Sequence, residues 1–269
     1  MAQERNKPPR KNFKGKATQK QQKHYAEKQS KAAEPMRLNR YISNSGVTSR
    51  RDADELIRSG QIKVNGKVVT ELGTKVLPTD KVIFKGKKLN PEQLRYVLLN
   101  KPKDFITTME DTHNRKTVMQ LVDKACQERI YPVGRLDRHT TGLLLFTNDG
   151  ELAKKLTHPS HKIKKIYQVE LDKPIEAQHF DDIIKGITLD DGPVTVDELA
   201  ILEGDNTMLG IEIHVGRNRI VRRIFEHFGY KVKKLDRVMF GALTKKDLSR
   251  GKWRHLSPKE IGLLKGAAK

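Results

Sequence analysis

The sequence contains a single cysteine, Cys126, among its 269 residues. One thiol excludes an internal disulfide and any metal site built from several cysteines, and it suits a reducing compartment. We therefore interpret Cys126 as a packing residue and expect the chain to act in the cytoplasm. Long apolar runs are also missing, since no stretch of about 18 residues could span a bilayer and no signal-peptide core is visible. The sequence therefore predicts no membrane partner.

Two further patterns are absent from the sequence. It has no glycine-rich loop of the kind that cradles phosphates, and no cluster of His and Cys with metal-ligand spacing. We therefore expect the protein to work without a metal ion and without a cofactor.

Positive charge is what the sequence has in excess. Its 54 Lys and Arg outnumber 33 Asp and Glu, giving a formal net charge of +21. Such a charge implies a polyanionic partner, and nucleic acid is the first candidate because basic residues recur within motifs. The hydrophobic content of 36% is low, which predicts a disordered part. We assign it to residues 1–34, a basic arm that either attracts phosphates or is a solvated tail without function.

Two short helices and a hairpin are predicted after this arm. Apolar residues at helical spacing follow Leu38, and Ser49 is placed to cap a second helix. Alternation around Asn65-Gly66 predicts a β-hairpin. This pattern resembles the S4 RNA-binding module of the αL type, which we place with a linker over residues 36–94. The resemblance implies phosphate contacts from Arg37, Arg40, Arg50, Arg51, Arg58 and Lys63, each of which alone could be an ordinary surface charge.

The most informative stretch is residues 131–150, where polar residues lead into an apolar run. The run from Leu143 to Phe146, bounded by Gly and by Asn-Asp-Gly, predicts a buried strand. Asp137 therefore lies on a loop that enters a sheet, among cationic side chains. Nearby cations favour the ionised carboxylate that a nucleophile or general base needs. From these residues alone, a surface ion pair or a turn cap is the commoner role for such an aspartate.

The residues from Gly134 to Leu144 read G-R-L-D-R-H-T-T-G-L-L. They resemble the G-R-L-D-x-x-T-x-G-L-L signature of the rRNA pseudouridine synthases, in the branch that joins the A type of the small ribosomal particle with the B, E and F types of the large one. In that family the aspartate is catalytic, which implies that role for Asp137. The resemblance also implies roles for Tyr167, in a K-x-Y-x-V strand, and for Arg222, in a G-R-x-x-[QE]-[IV]-[KR]-R helix. Ile220 stands where Gln or Glu is commoner, so no polar role carries over to that position.

The resemblance implies a division of labour among these side chains. Asp137 would act on a uridine flipped out of its stack, and Arg222 would pair with Asp137 and keep it ionised. Tyr167 would stack on the flipped base and could help to remove the C5 proton. Lys165 and Tyr167 share one face of their strand, because side chains alternate with period two. The RNA contacts implied outside the S4 module are Arg135, Arg138, His139, Lys165, Arg217 and Arg219, although His139 could equally be a satisfied loop histidine.

We predict an α+β fold, with the S4 module followed by a catalytic domain over residues 95–265. Its central sheet is expected to be mixed and mostly antiparallel, with Phe105–Thr108 as one of its strands. The predicted function is isomerisation of a specific uridine in ribosomal RNA, in 23S rRNA by the similarity to the B type, by a monomer. The alternatives are 16S rRNA modification and a noncatalytic ribosome-assembly factor. A nuclease or glycosylase would need a second carboxylate or metal ligands near Asp137, and the sequence shows neither.

Overall fold

The computed structural model describes residues 34–202 and 204–267. The chain divides into two compact units, Met1–Pro91 and Glu92–Lys269, and each is described by itself. The basic arm predicted over residues 1–34 lies outside the described residues, apart from Glu34. In the described ranges, every helix is too short or too polar to span a bilayer.

The first unit is a small α+β module with its own apolar core. Ser49 caps its second helix by accepting a hydrogen bond from the backbone N–H of Asp52, as predicted. Asn65 and Gly66 both have positive φ, at 51° and 84°, which makes the two-residue hairpin turn expected there. The core contains Leu38 and Ile57 from the two helices. The elements are β1 (Met36–Arg37), α1 (Leu38–Asn44), α2 (Arg50–Arg58), β2 (Ile62–Val64), β3 (Lys67–Val68), β4 (Lys75–Val76), β5 (Val82–Phe84) and β6 (Lys87–Lys88).

The second unit is built on a sheet in the order β13-β14-β10-β15-β9-β7-β17, with β8 on β9 and β16 on β15. Its strands pair antiparallel, except that β9 runs parallel to β15, so the predicted mixed and mostly antiparallel sheet is confirmed. The elements are β7 (Tyr96–Lys101), α3 (Met119–Val122), β8 (Tyr131–Pro132), β9 (Thr141–Thr147), α4 (Gly150–Thr157), β10 (Lys165–Leu171), α5 (Ala177–Lys185), β11 (Ile187–Leu189), β12 (Gly192–Val194), β13 (Glu198–Leu202), β14 (Asp205–Ile213), α6 (Ile220–His227), β15 (Val232–Phe240), β16 (Leu243–Thr244), β17 (Trp253–His255) and α7 (Pro258–Ala267).

Strand β9 is buried on both faces, which explains its uninterrupted apolar run. Leu144 and Phe146 belong to one core cluster, which includes residues of α5 and α6. Leu143 and Leu145 belong to a second cluster, which includes residues of α4 and α7. A strand covered on both faces reads as a continuous hydrophobic run rather than as an alternation.

The parallel contact between β9 and β15 depends on Gly142. This residue has φ +103°, and a Cβ placed on it would lie 2.3 Å from the carbonyl oxygen of Arg237. Any side chain at this position would therefore push the two strands apart. Beside it, the Thr141 hydroxyl donates a hydrogen bond of 2.8 Å to Asp236 on β15. Gly142 thus lets the strand after the signature loop reach β15.

The predicted strand Phe105–Thr108 is wrong, because the segment makes only one isolated bridge, between Ile106 and Thr117. The reason is the hydroxyl group of Thr107, which donates to the carbonyl of Leu136 at 2.7 Å and accepts from its N–H at 3.2 Å. The segment therefore braces the signature loop by side-chain hydrogen bonds instead of joining the sheet.

Candidate active site

The signature loop is organised around a buried ammonium group, that of Lys101 at the end of β7. Its Nζ donates to the carbonyl oxygens of Asp137 at 3.1 Å, Arg138 at 3.2 Å and Thr140 at 2.8 Å. A fourth carbonyl, of Pro102, lies at 3.1 Å. The side chain is fully buried, and burial lowers the pKa of Lys101 to about 8, although Asp137 and Asp104 oppose the shift.

Sequence reasoning missed this lysine. The available signal was its position, because Lys101 directly follows the apolar run of β7 and precedes Pro102, where a solvated charge is unusual. A buried lysine needs acceptors, and the carbonyls of the signature loop supply them. Lys101 therefore fixes the backbone that carries Asp137.

The half-buried side chain of Asp137 lines a cavity of about 270 Å³. A second cavity of about 80 Å³ is also lined by Asp137 and Tyr167. Within the described ranges, the carboxylate makes no hydrogen bond or ion pair, and no other acidic side chain lines either cavity. Asp137 is therefore available to a substrate, and the arrangement differs from the carboxylate pair of most glycosidases.

Tyr167 and Arg222 lie at different depths from this carboxylate. Tyr167, on β10, is 8% exposed and lines both cavities with Asp137. Arg222, on α6, is 9% exposed and lines neither, because its Nη1 donates to the carbonyl of Val232 at 2.8 Å. The expected ion pair between Asp137 and Arg222 is therefore not formed.

Arg222 still stands within electrostatic reach of Asp137. Burial, followed by the like charge of Arg219, lowers the pKa of Arg222 below its ordinary value, and the carboxylate of Asp137 opposes this shift. The structure thus brings Asp137 and Tyr167 together at one cavity, with Arg222 as a cation behind the cavity wall.

The predicted RNA-binding residues of the second unit fall into two groups. Arg135, Lys165, Arg217 and Arg219 line the larger cavity. Arg217 and Arg219 are already engaged, since Arg217 contacts Asp191 at 3.1 Å and Arg219 contacts Glu226 at 2.9 Å. The other group lies outside this lining and faces Asp104, which is 3.4 Å from Arg138 and 3.7 Å from His139.

The predicted RNA-binding residues of the first unit are mostly on its surface. Arg40 is half-buried, whereas Arg58 is exposed and forms an ion pair with Glu55. The remaining members of the set are exposed, and they are Arg37, Arg50, Arg51 and Lys63.

Metal coordination has no obvious place in residues 34–202 and 204–267. No group of three or more His, Cys, Asp and Glu side chains there is positioned to hold a metal ion. The cavity instead combines one carboxylate, one buried tyrosine and several cations. The fold and this cavity define an enzyme of the class that acts on a nucleic acid through a single aspartate.

Comparison with known proteins specifies the class. Residues 95–227 match the family model for RNA pseudouridylate synthase, and residues 36–82 match the S4 domain. The ribosomal large subunit pseudouridine synthase B of Bacillus subtilis (strain 168) is 42% identical over 236 residues, which are 86% of this chain and 96% of that protein. The dual-specificity RNA pseudouridine synthase RluF of Escherichia coli (strain K12) is 36% identical over 84% of this chain and 77% of its own length. A crystal structure of a pseudouridylate synthase matches with a TM-score of 0.62 and 31% identity, covering 85% of this chain and 99% of that one.

The chain belongs to the RNA pseudouridine synthase family, in the group whose members carry an S4 domain. This similarity extends over most of the chain, and it includes the signature loop, β10 and α6.

Proposed function

We propose that the chain converts a uridine of 23S rRNA into pseudouridine, with Asp137 as the catalytic carboxylate. The observation that carries this proposal is the unpaired carboxylate of Asp137, which lines the same cavity as Tyr167 and four cationic side chains of the predicted RNA-binding set. Family membership supports the reaction, and the similarity to the B-type relative supports the 23S target. We propose that it acts as a monomer in the cytoplasm.

The chemistry proposed for the cavity begins with a flipped nucleotide. A uridine has to leave its stack before side chains can reach C1′ or C5, and the cavity of about 270 Å³ is close to the lower size limit of small-molecule sites, about 300 Å³. The C1′–N1 bond breaks, the base rotates, the C1′–C5 bond forms, and a proton moves from C5 to N1. The product has the same atoms as the substrate.

Each residue contributes a separate part of this reaction. Asp137 acts at the uridine as nucleophile or base, and its lack of a protein partner leaves both oxygens available. Tyr167 stacks on the flipped base. Arg222 favours the ionised carboxylate from behind the cavity wall, by charge and not by a hydrogen bond. Arg138 and His139 hold RNA phosphates or fill the gap left by the extruded nucleotide.

The test uses rRNA from a strain that lacks the protein. Purified chain is added to this RNA, and pseudouridine is mapped in both 16S and 23S rRNA. We expect one or a few sites in 23S rRNA to reappear with the wild type and none with Asp137→Asn. The exposed Asp123→Asn variant serves as the control, with wild-type activity. Sites restored only in 16S rRNA would contradict the target, and an active Asp137→Asn protein would contradict the mechanism.

A noncatalytic assembly factor predicts a different result. Such a protein would bind rRNA through its basic surface and leave every uridine unchanged. The cavity argues against it, because a pure binder has no need for an unpaired carboxylate next to a buried tyrosine.

A further inference from the structure

Two cationic side chains at the cavity, Lys165 and Arg237, have no part in the reaction proposed for Asp137. The antiparallel pairing of β10 with β15 sets Tyr167 opposite Arg237 and Lys165 opposite Phe240. The pairing is shifted between these two positions, because Val238 has no partner on β10. This bulge brings Arg237 and Phe240 to the same face, so that all four side chains line the larger cavity.

Arg237 has a donor that no protein group uses. The residue is only 3% exposed, its Nε donates to the carbonyl of Leu143 at 2.8 Å, and its guanidinium lies 4.8 Å from the centre of the Phe240 ring. Its buried Nη2, in contrast, has no hydrogen-bond partner among the described residues. A buried donor without an acceptor is costly, so this atom suits an acceptor brought by a ligand.

Lys165 places a second positive charge beside this donor. Its Nζ donates to the carbonyl of His214 at 2.6 Å, which uses one of its three N–H groups. Burial, followed by the like charge of Arg237, lowers the pKa of Lys165 to about 8, and Asp197 is the carboxylate that opposes this shift. The lysine therefore does not depend on Asp137 for its charge. Two neighbouring cations held in a partly buried cavity are suited to carbonyl oxygens or to an anion.

We propose that Lys165 and Arg237 form a subsite that binds the carbonyl oxygens of the target uracil and holds the detached base during the reaction. When the C1′–N1 bond breaks, its electron pair stays with the base, and the uracil anion carries this charge on N1, O2 and O4. Asp137 balances the charge on the ribose. After rotation, the base uses that electron pair to form the C1′–C5 bond, and the C5 proton passes to N1. The subsite rests on the proposed function and explains why the free base is not lost.

The test compares Lys165→Met with Lys164→Met, its neighbour. Lys164 is exposed, lies on the other side of the chain and forms an ion pair with Glu212 at 2.5 Å. Single-turnover pseudouridine formation, equilibrium RNA affinity and release of free uracil are measured on rRNA that carries labelled uracil. For Lys165→Met we expect a rate about 100-fold lower, as for loss of one oxyanion donor, with RNA affinity within twofold of wild type and measurable uracil release. The control should match the wild type in all three.

A second variant guards against simple misfolding. Arg237→Lys keeps the charge but loses the Nη2 donor, and we expect a smaller loss of rate with the same increase in uracil release. A Lys165→Met rate within threefold of the wild type, or a loss of RNA affinity as large as the loss of rate, would overturn the subsite. An active Asp137→Asn protein would instead contradict the proposed function, so the two failures are distinguishable.

Discussion

Replacing Lys101 by Met should loosen the signature loop from within. The ammonium group donates to four carbonyl oxygens, but two of these have a second donor: the carbonyl of Asp137 also accepts from Thr140, and that of Arg138 from Asp104. The substitution therefore leaves the carbonyls of Pro102 and Thr140 without a hydrogen-bond donor. An unsatisfied buried acceptor costs about 1–2 kcal/mol, so the loss of stability should be about 3 kcal/mol.

Urea unfolding followed by circular dichroism measures this loss directly. Lys103→Met is the matched control, because Lys103 is exposed two residues further on, and its unfolding free energy should stay within about 0.5 kcal/mol of the wild type. Single-turnover activity, measured without urea at a temperature well below the transition, should also fall for Lys101→Met, since the backbone of Asp137 is no longer fixed. Equal stability of the two variants would refute this account of the loop.

Three other predictions concern the strands, the pH dependence and the first unit. Gly142→Ala should lower the unfolding free energy by about 3 kcal/mol or more, because its Cβ would meet the backbone of β15, whereas Gly262→Ala, in open space on α7, should be neutral or slightly stabilising in the same urea assay. Between pH 8 and about 10.5 the unfolded chain retains the Lys101 proton that the folded chain has lost, so unfolding free energy should rise with pH in the wild type relative to Lys101→Met. Equal slopes would contradict the burial of that charge. The double variant Arg50→Ala, Arg51→Ala should weaken RNA binding and lower the salt slope of log K by about 1–2, while the rate at saturating RNA is unchanged; an unchanged salt slope would exclude phosphate contacts there.

Local signals were sufficient for several elements of the fold. The Asn65-Gly66 turn, the Ser49 cap and the helix after Asp149 all depend on residues close in sequence, and each is confirmed. The burial of β9 was also predictable, because a run of four apolar residues fits a strand covered on both faces.

Other features depended on contacts between distant parts of the chain. Lys101 meets the signature loop across more than thirty residues, as its bond to Asp137 illustrates. The Arg222 side chain turns to Val232, which no helical pattern could predict. The strand β17 was missed for the same reason, since Trp253 pairs with Leu99 on β7 at the far end of the domain. Motif similarity selected the site residues, but side-chain direction was decided by these distant partners.

The parallel contact of β9 with β15 has a consequence for synthesis of the protein. A ribosome releases the signature loop first, and the strand that holds Gly142 in place leaves the exit tunnel only after roughly ninety further residues, at about 5–20 residues per second. Until then the aspartate has neither the opposite wall of its cavity nor Arg237 beside it. The nascent chain therefore passes through several seconds in which the RNA-binding module is already complete, yet no competent centre for modifying RNA exists.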